Sequence, residues 1–105
     1  MTYPKSLLEQ GRLDETLTRL YGRSALASAR NRCAQLLEAF SQAFGTEASA
    51  LFSAPGRTEV GGNHTDHQHG RVLAAAVDLD ILAAAAPNDS GVIRVQSQGL
   101  SLIHI

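Results

Sequence analysis

The chain has 105 residues, 44% of them hydrophobic, with nine basic and ten acidic side chains and a formal net charge of -1. That length holds one domain at most with a modest core, and the apolar fraction excludes a disordered segment. The even charge balance leaves no basic footprint for nucleic acid or for an anionic membrane surface.

Cys33 is the only cysteine, so no internal disulfide is available, which points to a reducing, cytoplasmic setting. No basic stretch runs into an apolar one at the start, as a secretory leader requires. The longest apolar run, Ile81 to Pro87, is far too short to span a bilayer.

In chain order, the first region, residues 1–47, predicts two helices paired as a hairpin. Ser6 followed by Glu9 has the spacing of a capping box that opens the first helix. Gly11 weakens it, and Leu13, Leu17 and Leu20 then share one face. Gly22 ends it, and Ser24 caps the next. In the second helix Leu26, Arg30, Cys33, Leu37, Phe40 and Phe44 recur at helical spacing, and Gly45 suits the stop.

The second region, residues 48–70, opens with a short strand, Ala50 to Ala54, which ends at Pro55-Gly56. From there to Gly70 the sequence is polar and rich in glycine and histidine, and reads as a loop. The third region, residues 71–99, returns to strands. Val72 to Val77 and Leu79 to Ala86 are apolar runs, and the alanines from Ala83 to Ala86 read as strand because a turn bounds them. Pro87-Asn88-Asp89-Ser90-Gly91 is that turn. Val92 to Ser97 alternates as a half-buried strand does. Residues 100–105 form an atypical tail. No internal repeat is visible.

The chemistry concentrates between Ala54 and Gly70. Gly61-Gly62 open a backbone path reserved for glycine and allow a ligand to approach the chain closely. Asn63, His64 and Asp66 gather the donors and acceptors needed to fix several hydroxyls. Arg57 offers a fixed charge suited to a carboxylate or a phosphate. Plainer readings stand beside these. Arg57 also fits a structural ion pair, and the histidines fit a solvated loop. His64, His67 and His69 with Asp66 carry zinc-ligand chemistry, but there is no nearby cysteine and no helical H-x-x-x-H pair. The expectation is no metal site.

The same stretch resembles the galactokinase signature G-R-x-N-x-I-G-E-H-x-D-Y-x-x-G. Gly56-Arg57, Gly62, His64, Asp66 and Gly70 match it in register. Ser53-Ala54-Pro55, Val72-Leu73-Ala74 and the strand patterns that follow also look like that family, so the likeness runs over about residues 5 to 99. The resemblance implies an α/β (α+β) fold of the GHMP kinase type. Its N-terminal domain would have a helical pair followed by the first strands of a mixed sheet, and this chain would be a truncated part of it. It further implies ATP-dependent phosphorylation of galactose at the anomeric hydroxyl to give galactose 1-phosphate, with ATP and Mg2+ as cofactors of the full-length enzyme. Residues matching Asn63, His64 and Asp66 would hold sugar hydroxyls, with Glu59 beside them. Arg57 would stabilise charge near the reacting hydroxyl. Phosphoryl transfer rests mainly on positioning and charge stabilisation, which suits such a clamp.

The match departs from the pattern at several places. Glu59 stands where the family usually has Asn, and Asn63 where it has Glu, so the exchange retains one carboxylate and one amide. His67 replaces a tyrosine and Gly61 an isoleucine. The exchange opens the hexose to a relative of galactose such as N-acetylgalactosamine. The phosphate-cradling motif P-x-x-x-G-L-S-S of GHMP kinases is not found in the chain, and Gly99-Leu100-Ser101 imitates only its middle. The expected function is sugar recognition without turnover by this chain alone. A non-catalytic sugar sensor of the same fold is the alternative.

Overall fold

The computed structural model describes residues 3–61, 73–97 and 103–104. Four helical segments come first: α1 (Pro4–Glu9), α2 (Asp14–Tyr21), a 3-10 turn (Arg23–Ala25) and α3 (Leu26–Phe44). Two long strands, β1 (Ala50–Gly61) and β2 (Leu73–Ala85), and two short ones, β3 (Arg94–Val95) and β4 (Ile103–His104), follow. The described residues are thus α+β, helices first. They fall into two compact units, Met1–Leu51 with Ala84–Ile105, and Phe52–Ala83.

The helical region differs from its sequence reading at both starts. α1 begins at Pro4 with Tyr3 in extended backbone as its cap, and no side chain caps it. Proline at the first helical position has φ already set and no N–H to satisfy, so it takes the start from the Ser6/Glu9 pair. Gly11, at φ +73°, breaks the helix outright, so α2 restarts at Asp14 with only 8 residues. A helix that short buries little more than one turn: Leu17 is buried, Leu13 half-buried, and Leu20 is 52% exposed. Ser24 lies in the 3-10 turn and does not cap α3, whose cap position is Ala25.

The stops follow the sequence. Gly22 closes α2 at φ 88°, its N–H donating to Thr18 O at 2.8 Å. Gly45 closes α3 in the left-handed conformation, its N–H donating to Ser41 O at 2.9 Å. A side chain at either φ would cost strain that glycine avoids.

The core of this unit gathers Leu17, Ala29, Cys33, Leu37 and Ala48. Ala29, Cys33 and Leu37 repeat every fourth residue along α3, which makes one continuous stripe. Phe40 and Phe44 meet with their rings tilted at 50° and centroids 4.8 Å apart, and the Arg94 guanidinium lies 5.2 Å from the centre of the Phe44 ring. That cation–π contact attaches the segment around β3 to the end of α3.

Arg30, assigned by its spacing to the apolar face of α3, instead forms an ion pair with Asp14 through two guanidinium nitrogens. The pair ties the start of α2 to α3. The Arg30 hydrogen bond holds the Asp14 carboxyl below its ordinary range. Desolvation opposes this, and the Arg30 charge adds to it. A carboxyl with a lower pKa folded than unfolded stabilises the fold above its unfolded pKa, and that contribution fades as pH falls through the folded one. Asp14→Asn should therefore lower stability at neutral pH and flatten the acid limb, read as denaturation midpoints across a pH series.

β1 and β2 form a two-stranded sheet. Ser49 N–H donates to Ala85 O at 2.8 Å, and Ser53 reaches Asp80, so residue numbers rise on one strand as they fall on the other. The ribbon is antiparallel. β1 does not stop at Pro55-Gly56 as expected but continues through Arg57 to Gly61, a length of 12 residues. A two-stranded ribbon leaves one unpaired edge on each strand, which tolerates a residue without N–H. Pairing with the 13 residues of β2, a single strand and not two runs, overrides the local break.

The turn after β2 forms as its composition indicates. Asn88 Oδ1 accepts from Ser90 N at 3.0 Å, and Gly91 adopts φ 76°. Beyond it the expected half-buried strand from Val92 to Ser97 is reduced to Arg94–Val95, and that whole stretch is exposed. Its partner is the atypical tail: Arg94 pairs with His104 and Val95 with Ile103, antiparallel. Among the described residues, no helix is long and apolar enough to cross a membrane.

Candidate functional site

β1 and β2 flank the glycine- and histidine-rich stretch in sequence. Ala54 to Gly61, the first part of the motif, lies on β1, while residues 62–72 lie outside the described residues. Arg57 is therefore a strand residue, not a loop residue, and it is exposed on β1. Glu59 follows two positions on along the same strand.

Asn63, His64 and Asp66 fall outside the described residues, as do His67 and His69 of the metal alternative. Among the described residues no cluster of His, Cys, Asp or Glu could hold a metal ion. The Ser53 hydroxyl and the Asp80 carboxylate meet on the hairpin itself, a pair that sequence reasoning did not connect. The available signal was an acid placed within the apolar run of β2.

A separate cleft of about 200 Å³ lies in the helical unit, lined by Lys5, Leu8, Glu9, Leu37, Glu38 and Ala48 among others. It is smaller than the roughly 300–1,000 Å³ typical of small-molecule pockets. It contains none of the motif residues.

Comparison with known proteins finds a likeness over the middle of the chain. Residues 38–87 match the galactokinase galactose-binding signature. Over that span the chain is similar to the galactokinases. The matched residues take in the end of α3, all of β1 and β2, and the stretch between them.

Galactokinases of Streptococcus mutans and Streptococcus suis are 43% and 44% identical to it, each over 63 residues. A galactokinase of Streptococcus thermophilus is 43% identical over 60 residues. These alignments cover 60%, 60% and 57% of this chain and 16% of each relative, so the galactokinase-related chain spans only a small part of those proteins. No solved structure matches it.

Proposed function

We propose that the chain supplies the hexose-recognition segment of a galactokinase-type sugar kinase. The match of residues 38–87 to the galactose-binding signature carries this reading. Asn63, His64 and Asp66 would bind sugar hydroxyls, with Glu59 restoring the carboxylate that Asn63 lacks. Arg57, exposed on β1, would face the anomeric oxygen and offset charge that builds during transfer.

The full kinase would draw its phosphoryl group from ATP with Mg2+. This sequence has no P-x-x-x-G-L-S-S loop, and no described cluster fits a metal, so neither group is assigned to residues of this chain. The part proposed here is confined to gripping and orienting the sugar. Orientation alone is a large share of catalysis when the reaction is a group transfer between two bound substrates.

Isothermal titration of the chain checks this. Galactose should give a saturable heat, and glucose, which differs only in the orientation of one hydroxyl, a much weaker one. Incubation with ATP and galactose should yield no galactose 1-phosphate. Absence of any heat with galactose overturns the assignment. Tighter binding of N-acetylgalactosamine than of galactose would redirect it to the related hexose, for which the Glu59/Asn63 exchange is the specific motive.

A further inference from the structure

Strand side chains alternate between two faces, so exposure along β1 and β2 reports what each face meets. Ser53 is half-buried, while its neighbour Phe52 is 60% exposed. On β2, Asp80 and Leu82 are half-buried, while Leu79 and Ile81 are 77% and 75% exposed. The Ser53 hydroxyl donates to the Asp80 carboxylate, which puts those two side chains on one face. Phe52, Leu79 and Ile81 therefore share the other. Ala54 and Ala83 lie on it as well and are also exposed. Those five side chains are all apolar.

Such a face is out of place in water. A two-stranded ribbon needs a third strand or a helix against its apolar side to be stable. Large apolar side chains gathered on one face mark contact with another polypeptide, whereas scattered ones do not. A second copy of the chain is a poor occupant. A stable interface between separate molecules takes about 20–30 residues a side. The 12 residues of β1 and the 13 of β2 divide between two faces, so neither face approaches that size. A smaller patch suffices when the covering segment belongs to the same folded polypeptide, because no free partner loses its translational freedom. The streptococcal galactokinases hold such a polypeptide, since the alignments cover only 16% of each.

We propose that Phe52, Leu79 and Ile81 form an interior contact with the part of a galactokinase polypeptide that has no counterpart in this chain. The contact rests on the galactokinase likeness and not on sugar binding, so the test reads no galactose. Loss of the sugar reading and loss of this one are thereby separate outcomes.

The experiment compares two proteins. One is the full 105-residue chain, and the other is the Streptococcus mutans galactokinase with its galactose-binding signature replaced by residues 38–87. Each is made with Ile81, Ile81→Lys and Ile81→Cys. In the chain alone, Ile81→Lys should move the melting temperature by no more than about 3 °C, as expected of an exposed position. In the chimera it should lower it by about 10 °C or more, because a lysine is then forced into an apolar contact. The Ile81→Cys thiol should react with a maleimide at least about tenfold more slowly in the chimera. Cys33, 1% exposed, contributes little background in the chain alone.

Equal melting shifts in the two proteins, or equal labelling rates, overturn the proposal. So does a concentration-dependent dimer of the chain that Ile81→Lys dissolves, which would give the face to a second copy. If the chimera does not fold, the Ile81→Cys chain is co-expressed with the rest of the S. mutans galactokinase. Slowed labelling in the resulting complex supports the contact. Unchanged labelling, or no complex, refutes it.

Discussion

Asp66→Ala weakens galactose binding by roughly ten- to a hundredfold if its carboxylate receives a sugar hydroxyl, the usual worth of a hydrogen bond to a charged group. Arg57→Ala acts elsewhere. In a full-length galactokinase containing this segment, it should lower kcat by about 10²- to 10³-fold, the scale on which removing one positioned donor of charge stabilisation acts. Its effect on galactose affinity should be slight. The two variants are therefore distinguishable by whether the loss falls in KM or kcat. Arg57 sits exposed on β1, so its truncation opens no cavity and a folding artefact is not expected. Equal galactose affinity for the parent and Asp66→Ala would remove Asp66 from the site. An unchanged kcat in Arg57→Ala would return Arg57 to the role of a surface cation.

Leu37→Ala should be the most damaging single change to folding. Leu37 is 6% exposed and lies on the same stripe as Cys33, itself 1% exposed, in a core that also includes Leu17, Ala29 and Ala48. Buried leucine-to-alanine changes cost about 2–5 kcal/mol through lost burial and the cavity left behind. A domain of this size has little stability in reserve. Each kcal/mol moves the melting temperature by about 4–8 °C in a domain of about 60–100 residues, so the helical signal at 222 nm should melt far earlier or be absent at ambient temperature. Leu20→Ala is the control: Leu20 is 52% exposed and should stay within about 0.5 kcal/mol of the parent. Equal melting of Leu37→Ala and Leu20→Ala would mean that the α3 stripe is not the core.

Local punctuation is legible in the residues themselves. Gly22 and Gly45 stop their helices because positive φ is cheap for glycine, and Asn88 with Ser90 and Gly91 forms the turn that its composition encodes. The Cys33–Leu37 stripe follows from helical periodicity. Ala83 to Ala85 read correctly as strand despite the helix preference of alanine, because the turn after it leaves no room for a helix.

Competing starts and distant partners are harder to read. Pro4 displaces Ser6 as the beginning of α1, since a residue without N–H loses no hydrogen bond there. Arg30 has the spacing of an apolar stripe, yet Asp14, remote in sequence, supplies its partner. The break expected at Pro55-Gly56 does not end β1, because β1 pairs with β2. The tail near Ile103 finds a strand partner in Val95 that no local pattern announces.

For the candidate site, the sequence alone determined the chemical inventory, the glycines that frame it and the family likeness, because a motif is a statement about neighbouring residues. Tertiary structure alone decided that Arg57 stands on a strand, that β1 outruns its proline, and that Ser53 meets Asp80. Those outcomes depend on which backbone and side-chain groups pair across a long stretch of chain. The free energy of such pairing belongs to both partners at once and cannot be read from either segment by itself.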